Sequence, residues 1–281
     1  MTALLLDRLR AAGIDALEVV PASGGLAATA GLARLADGTQ LFVKAFDESM
    51  SDAFEAEAEG LTTLREHVAT PEVLLATPDL LVLSVLQPRP ATAQFWEQLA
   101  HTLAAVHGVT NDRFGWHRDN WLGLRPQHNS WNDDGFAFFA ENRLLRWLDE
   151  PRVRDAVDAR ALERLCDRLP ELLPEKPPVL THGDLWMQNV MATAAGAPAL
   201  IDPAVSYTWA EVDLAHLWTT VPPPESAAFF DLYADLTGLD ADWRSRMPII
   251  QLRQHLAVIA QFEPDWGAAE IVRETLKPFR A

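Results

Sequence analysis

Apolar and polar positions alternate or run apolar over two short segments, Leu32 to Ala36 and Gln40 to Phe46. The turn signal Asp37-Gly38 lies between them, so this stretch predicts a β-hairpin. Ser23-Gly24-Gly25 precedes it and extends the pattern to strand, glycine turn, strand, turn, strand. From Asp52 to Val68 the period changes to that of a helix, with Ser51 or Asp52 as cap and with Phe54, Leu61, Leu64 and Val68 on one stripe. Glu57 falls in the middle of this stripe, where a carboxylate needs a partner to offset its desolvation. Glu55 and Glu59 fall on the opposite side and read as a solvated face.

Leu80 to Leu86 is a near-continuous apolar run and predicts a buried strand, which Gln87-Pro88-Arg89-Pro90 ends as a connector. Beyond it the texture is helical. Thr92 to His107 places Phe95, Leu99, Leu103 and Val106 on one face, and further helices are predicted around Phe136 to Leu148, Ala161 to Leu173, Val212 to Trp218 and Pro248 to Phe262. The pattern divides the chain into a small β-rich part, residues 1–86, and a larger α-rich part, residues 87–281, with a cleft between them.

Composition narrows the function classes. With 281 residues and 49% of them hydrophobic, the chain can bury a large core. A formal charge of −17 disfavours nucleic acid or an anionic membrane as partner and suits an amine-bearing small molecule better. The single cysteine, Cys166, lies in an amphipathic stretch and reads as a packing residue, which excludes an intramolecular disulfide. The leucine run from Leu4 to Leu6 is too short for a signal-peptide core, and no apolar run approaches the roughly 20 residues of a membrane span. Cytoplasmic residence and a monomeric state are expected.

The segment His182-Gly183-Asp184-Leu185-Trp186-Met187-Gln188-Asn189 fits the spacing of a kinase catalytic loop. Phosphoryl transfer needs an Asp to orient the attacking hydroxyl and accept its proton, and an amide oxygen a few residues on can ligate Mg²⁺ without adding another full charge. Asp184 and Asn189 match these needs. Asp202, 18 residues beyond Asp184 and after a turn at Gly196 and Pro198, supplies a second acidic ligand for the metal. His-Gly-Asp alone would also suit a capped turn; Asn189 and Asp202 at these spacings decide against that, and His182 reads as a buried organiser of the loop. Leu41-Phe42-Val43-Lys44 is an apolar strand ending in a lysine suited to the nucleotide phosphates, and Glu57 on the packed face of the next helix is its natural partner. Ser23, Gly24 and Gly25 form the candidate turn over the phosphates. The fold class expected is α+β, a bilobal protein-kinase-like fold with ATP and Mg²⁺ as cofactors.

Together these residues resemble the fructosamine kinase (ketosamine-3-kinase) family, relatives of aminoglycoside and choline kinases. The more specific marks are His182-Gly183-Asp184-Leu185-Trp186 with Asn189, and Asp202-Pro203-Ala204 with Tyr207, Glu211, Asp213, Leu214 and Ala215. Asp119-Asn120-Trp121-Leu122-Gly123, Gln127, Asn129, Trp131 and Arg143 continue the likeness. The resemblance implies MgATP-dependent phosphorylation of a sugar hydroxyl, O3′, on a ketoamine, after which the adduct releases its amine, a deglycation. It assigns Asp184 as base, Asn189 and Asp202 as Mg²⁺ ligands, and Lys44 and Glu57 as the nucleotide-positioning pair. Met187-Gln188, Gly135, Thr208 and the segment Thr219 to Pro224 depart from the family pattern and bear on the acceptor. Competing readings are an aminoglycoside- or choline-kinase-like enzyme acting on another amine-bearing molecule, and a catalytically silent nucleotide-binding module. A hydrolase lacks support, since neither a Gly-x-Ser-x-Gly elbow nor a His-Glu-x-x-His motif is present.

Overall fold

The computed structural model describes residues 2–22, 28–47, 52–220 and 222–280. Ser23, Gly24, Gly25 and the alternative cap Ser51 lie outside them. The N-terminal part is a five-stranded antiparallel sheet in the order β1-β2-β3-β5-β4, built from β1 (Ala16–Pro21), β2 (Thr29–Leu35), β3 (Gln40–Ala45), β4 (Val73–Ala76) and β5 (Leu80–Ser84). The hairpin of β2 and β3 pairs Ala30 with Lys44 and Arg34 with Gln40 across the Asp37-Gly38 turn.

Both faces of this sheet are covered, which explains why β3 and β5 read as apolar runs rather than as alternation. Leu41, Val43, Ala45, Leu80 and Val82 pack with Leu5 and Leu9 of α1 (Thr2–Ala11) on one face. Phe46, Leu81 and Leu83 pack with Ala53, Phe54 and Leu61 of α2 (Ala53–Leu64) on the other. Side chains alternate along a strand, so Phe42, Lys44 and Phe46 share the α2 face. That parity aims the Lys44 ammonium at α2. α1 lies outside the elements that the sequence pattern predicts.

α2 is shorter than the predicted 52–68, ending at Leu64, and the Asp52 side chain makes no capping bond. It reaches instead into the C-terminal part, accepting from Trp121 Nε1 at 3.0 Å and pairing with Arg118. Glu55 is solvated as expected, its side chain 72% exposed, whereas Glu59, 29% exposed, requires a correction. Arg118 lies 3.3 Å from Glu55 and 3.6 Å from Glu59, and Trp116 Nε1 and His117 Nε2 meet Glu59 at 2.9 and 3.0 Å. The Glu59 side of α2 therefore docks on the other lobe, while Glu55 stays at the solvent edge of the contact.

The C-terminal part is helical around one large apolar core that includes Cys166. It contains α3 (Ala93–Val106), capped by Thr92 through Phe95 N–H, then α4 (Gly135–Phe139), α5 (Pro151–Ala156), α6 (Ala159–Asp167) and α7 (Leu169–Leu172). After the strands of the site come α8 (Glu211–Thr219), α9 (Phe229–Thr237), α10 (Trp243–Ile250), α11 (Leu252–Gln261) and α12 (Ala268–Leu276). The helix predicted from Phe136 to Leu148 is broken into α, π and 3₁₀ turns, and that from Ala161 to Leu173 is interrupted at Arg168. No described helix is long and apolar enough to cross a membrane.

Three short two-stranded ribbons frame the cleft: β6 (Asn120–Leu122) with β7 (Arg125–Gln127), β8 (Val179–Thr181) with β11 (Ser206–Thr208), and β9 (Val190–Ala192) with β10 (Pro198–Leu200). Asp184 follows β8, and Asp202 follows β10 by two residues, so both carboxylates emerge from neighbouring strand ends.

Candidate active site

Lys44, Glu57, Asp184, Asn189 and Asp202 line one cleft of about 330 Å³ between the sheet and the helical part. Lys44 Nζ donates to Glu57 Oε1 at 2.8 Å and to Asp202 Oδ1 at 2.5 Å, and its side chain is only 5% exposed. Burial works against the ammonium charge, yet Asp202 and Glu57 outweigh it and raise the Lys44 pKa. Burial pushes Glu57 up as well, with Lys44 opposing. Asp202 sits at φ 57°, a left-handed conformation uncommon outside glycine, on the turn that delivers its carboxylate to Lys44.

The loop carrying Asp184 is held from beneath. Asp213 on α8 is fully buried and accepts from the backbone N–H groups of His182 and Gly183, each at 2.8 Å. His107 Nε2 lies 3.1 Å from the same carboxylate, and His107 Nδ1 lies 2.6 Å from the Tyr233 hydroxyl. Burial opposes the Asp213 charge, but the bonds from His107 and His182 hold its pKa below the usual carboxylate range. His182 donates through Nε2 to Ile201 O at 2.8 Å and accepts from Asp184 N–H through Nδ1 at 3.2 Å, which ties the Asp184 loop to the segment entering Asp202. It is completely buried, and burial lowers its pKa, so it organises the loop as an uncharged ring. Gly183 adopts φ 80°, and a Cβ there would lie 2.0 Å from Ala204 O; no other residue fits.

Asp184 Oδ1 accepts from Gln254 Nε2 at 3.2 Å, and its side chain is 22% exposed toward the cleft. Burial raises its pKa to about 7, with the buried guanidinium of Arg253 pulling the other way. Asn189 donates Nδ2 to Asp184 O at 2.8 Å, which leaves its Oδ1 available to the cleft.

Below these groups runs a buried polar lattice. Arg253 donates to Gln127 Oε1, Gln127 Nε2 donates to Asn120 Oδ1 and Ala204 O, and Asn120 Nδ2 donates to Val205 O at 2.7 Å. Arg143, also buried, donates to Asn129 Oδ1 at 2.7 Å and Ser206 Oγ at 3.2 Å. Asn120 and Gln127, marked in the sequence only by likeness, thus pin the carbonyls of Val205 and Ala204 just beyond Asp202, and Arg143 holds the Ser206 side chain.

Most of the departures from the family pattern lie away from the cleft. Met187 is buried in the core, and a Cβ on Gly135 would lie 2.4 Å from Phe114 Cζ, so Gly135 answers to local packing. Thr208 is buried, whereas Thr220 does line the cleft. Sequence reasoning missed Asp213 and His107 as anchors, Gln254 and Arg253 beside Asp184, and His216 on the cleft wall. Asp213 and its neighbours are marked in the sequence by the family likeness, and a polar residue in the middle of the apolar helix 212–218 is a second signal, but neither gives its anchoring role.

Among the described residues no three His, Cys, Asp or Glu side chains gather as a self-sufficient metal site. Asn189 and Asp202 nevertheless offer two hard oxygens on one wall, the sparse protein contribution expected where phosphate oxygens and water complete the shell of a divalent ion. The donor set fits such an ion together with a nucleotide.

This fold is that of the kinase-like phosphotransferases. A solved Thermobifida fusca protein described as a putative fructosamine-3-kinase superposes with a TM-score of 0.85, 29% identity and full coverage of both chains. A choline kinase of Streptococcus pneumoniae shares the fold at a TM-score of 0.66 and 17% identity, covering 99% of this chain and 98% of its own. The fructosamine kinase family model matches residues 5–277, and the chain belongs to that family. A probable ketoamine kinase of Enterococcus faecium is 32% identical over 238 residues, covering 81% of this chain and 83% of the relative. The protein is accordingly a small-molecule kinase, a phosphotransferase with a sugar hydroxyl as acceptor, with ATP as co-substrate and a divalent metal.

Proposed function

We propose that the protein transfers the γ-phosphoryl group of MgATP to a hydroxyl, O3′, of fructosamines or ribulosamines, and that the unstable product then releases the amine, a deglycation. The observation that carries this reading is the convergence of Lys44, Glu57, Asp184, Asn189 and Asp202 on one cleft. Lys44, fixed by Glu57, holds the α/β-phosphates. Asn189 Oδ1 and Asp202 would hold Mg²⁺, which supplies charge neutralisation on the β- and γ-phosphates. Asp184 orients the acceptor hydroxyl in line with the γ-phosphorus and takes its proton. A bond forms from the acceptor oxygen to that phosphorus as the bond to the β,γ-bridging oxygen breaks, so ADP leaves and Asp184 returns the proton to solvent.

The cleft is also lined by the aromatic side chains of Phe46, Phe54, Trp121, Trp186, Phe262 and Trp266. Such a wall suits the face of a sugar and, through the ring quadrupoles, the cationic amine it carries. The proposal includes a division at residue 86/87 into a nucleotide-binding and a catalytic lobe, a monomeric state and cytoplasmic residence. The test is an acceptor screen with MgATP and mass detection across fructoselysine, ribuloselysine, aminoglycosides and choline. Phosphorylation of a ketoamine in preference to the others is expected; transfer only to an aminoglycoside or amino alcohol would overturn the acceptor assignment.

A further inference from the structure

His216 of α8 lines the cleft, and its buried Nδ1 has no hydrogen-bond partner among the described residues. Its side chain is 10% exposed, and Nδ1 makes no hydrogen bond to a described residue. Asp184 Oδ1 is 3.4 Å away, already takes a hydrogen bond from Gln254, and falls outside bonding geometry with the imidazole. A buried polar atom with no partner is costly, and such sites call for a ligand or a water. The ring is fixed beside Trp186, nearly parallel to it at 15° with centroids 6.4 Å apart, and both rings line the cleft. Burial, and next to it the Arg253 charge, lowers the His216 pKa to about 3, so the imidazole is neutral and Nδ1 can donate or accept according to tautomer.

We infer that His216 is an acceptor-positioning residue: its Nδ1 binds a second hydroxyl, adjacent to the one that Asp184 deprotonates, so the site selects acceptors carrying a vicinal diol. The inference rests on the proposed sugar acceptor and sharpens it. Two polar atoms 3.4 Å apart on one wall meet two neighbouring hydroxyls of a polyol at once. An acceptor with a lone hydroxyl, such as an amino alcohol, leaves Nδ1 unpaired and lacks the second point that fixes its rotation about the reacting C–O bond. Hydrogen bonds that are long in the free enzyme tighten when substrate arrives.

The experiment compares a ketoamine with two analogues, one lacking the hydroxyl at C4′ that flanks O3′ and one lacking the more distant hydroxyl at C5′, using wild type, His216→Phe and His216→Asn. Wild type should discriminate against one analogue by about tenfold in kcat/KM, the usual worth of a neutral hydrogen bond. His216→Phe keeps the ring and should abolish that discrimination by lowering the parent to the level of the analogue, chiefly through KM for the acceptor, with KM for ATP unchanged. His216→Asn restores a polar atom and should recover part of it. An equal fall on all three acceptors in both variants would show a merely structural role and overturn the inference. Failure of wild type to phosphorylate any ketoamine is a separate result, which would overturn the acceptor reading and the diol assignment with it.

Discussion

Replacing Asp184 by Asn should make the protein more stable in alkaline solution. The carboxyl is raised from 3.8 to about 7, principally by burial. Between those values the folded protein keeps a proton that the unfolded chain has lost, so wild-type stability falls as pH rises through this window, and the full penalty is present above it. The whole difference corresponds to about 4 kcal/mol. Because 22% of the side chain faces solvent, screening reduces this to roughly 2 kcal/mol. Asn preserves the shape and the acceptor for Gln254 while removing the charge. Urea or thermal unfolding at pH 8 should show the variant more stable by that amount, or about 4 °C in Tm, with less than about half the gain left at pH 5. A variant as unstable as wild type or worse at pH 8, or a gap indifferent to pH, would refute the placement of an uncompensated charge at this position. In wild type the same titration predicts that kcat/KM for the acceptor falls as pH drops below about 7, since the base must be ionised.

Lys44→Met should leave two buried carboxylates without their cation and cost about 3–5 kcal/mol in chemical denaturation, together with a weakened ATP affinity; normal affinity and turnover would show that Lys44 does not serve the nucleotide. Asp213→Ala orphans the His182 and Gly183 N–H groups and the His107 ring, so a loss of about 3 kcal/mol or more is expected, with kcat falling more than KM for ATP; an unchanged kcat in a folded variant would contradict the anchoring of the loop by α8. Arg118→Ala unties Asp52, Glu55 and Glu59 of the α2 region from the other lobe. It should lower kcat at low salt, while global stability changes by only about 1 kcal/mol; a loss of stability without a kinetic effect would argue against α2 placement as the role of this cluster.

The legible part of the fold and site is the part written in local pattern. Glu57 is legible because period 3.6 puts it on a packed face, and Lys44 because an apolar strand ends in it; the structure joins them at 2.8 Å. Asp184, Asn189 and Asp202 were found by spacing, which survives because two short ribbons fix where the loop ends fall. The supports were not legible. His107 meets Asp213 and Tyr233 across 106 and 126 residues, and no local pattern encodes such a contact. Glu59 was misread because a helix wheel tells which face is polar, not whether a second lobe covers it. His216 and Arg253 sat in helices whose apolar neighbours suggested core, and only the cleft geometry separates a packed polar residue from one aimed at a ligand.

The most direct test of the central claim is to give wild type and Asp184→Asn the same ketoamine and MgATP, following phosphoryl transfer by mass and ATP binding by calorimetry. Wild type should phosphorylate the acceptor, while Asp184→Asn binds ATP with similar affinity and transfers nothing measurable. Transfer by Asp184→Asn at the wild-type rate would contradict the account.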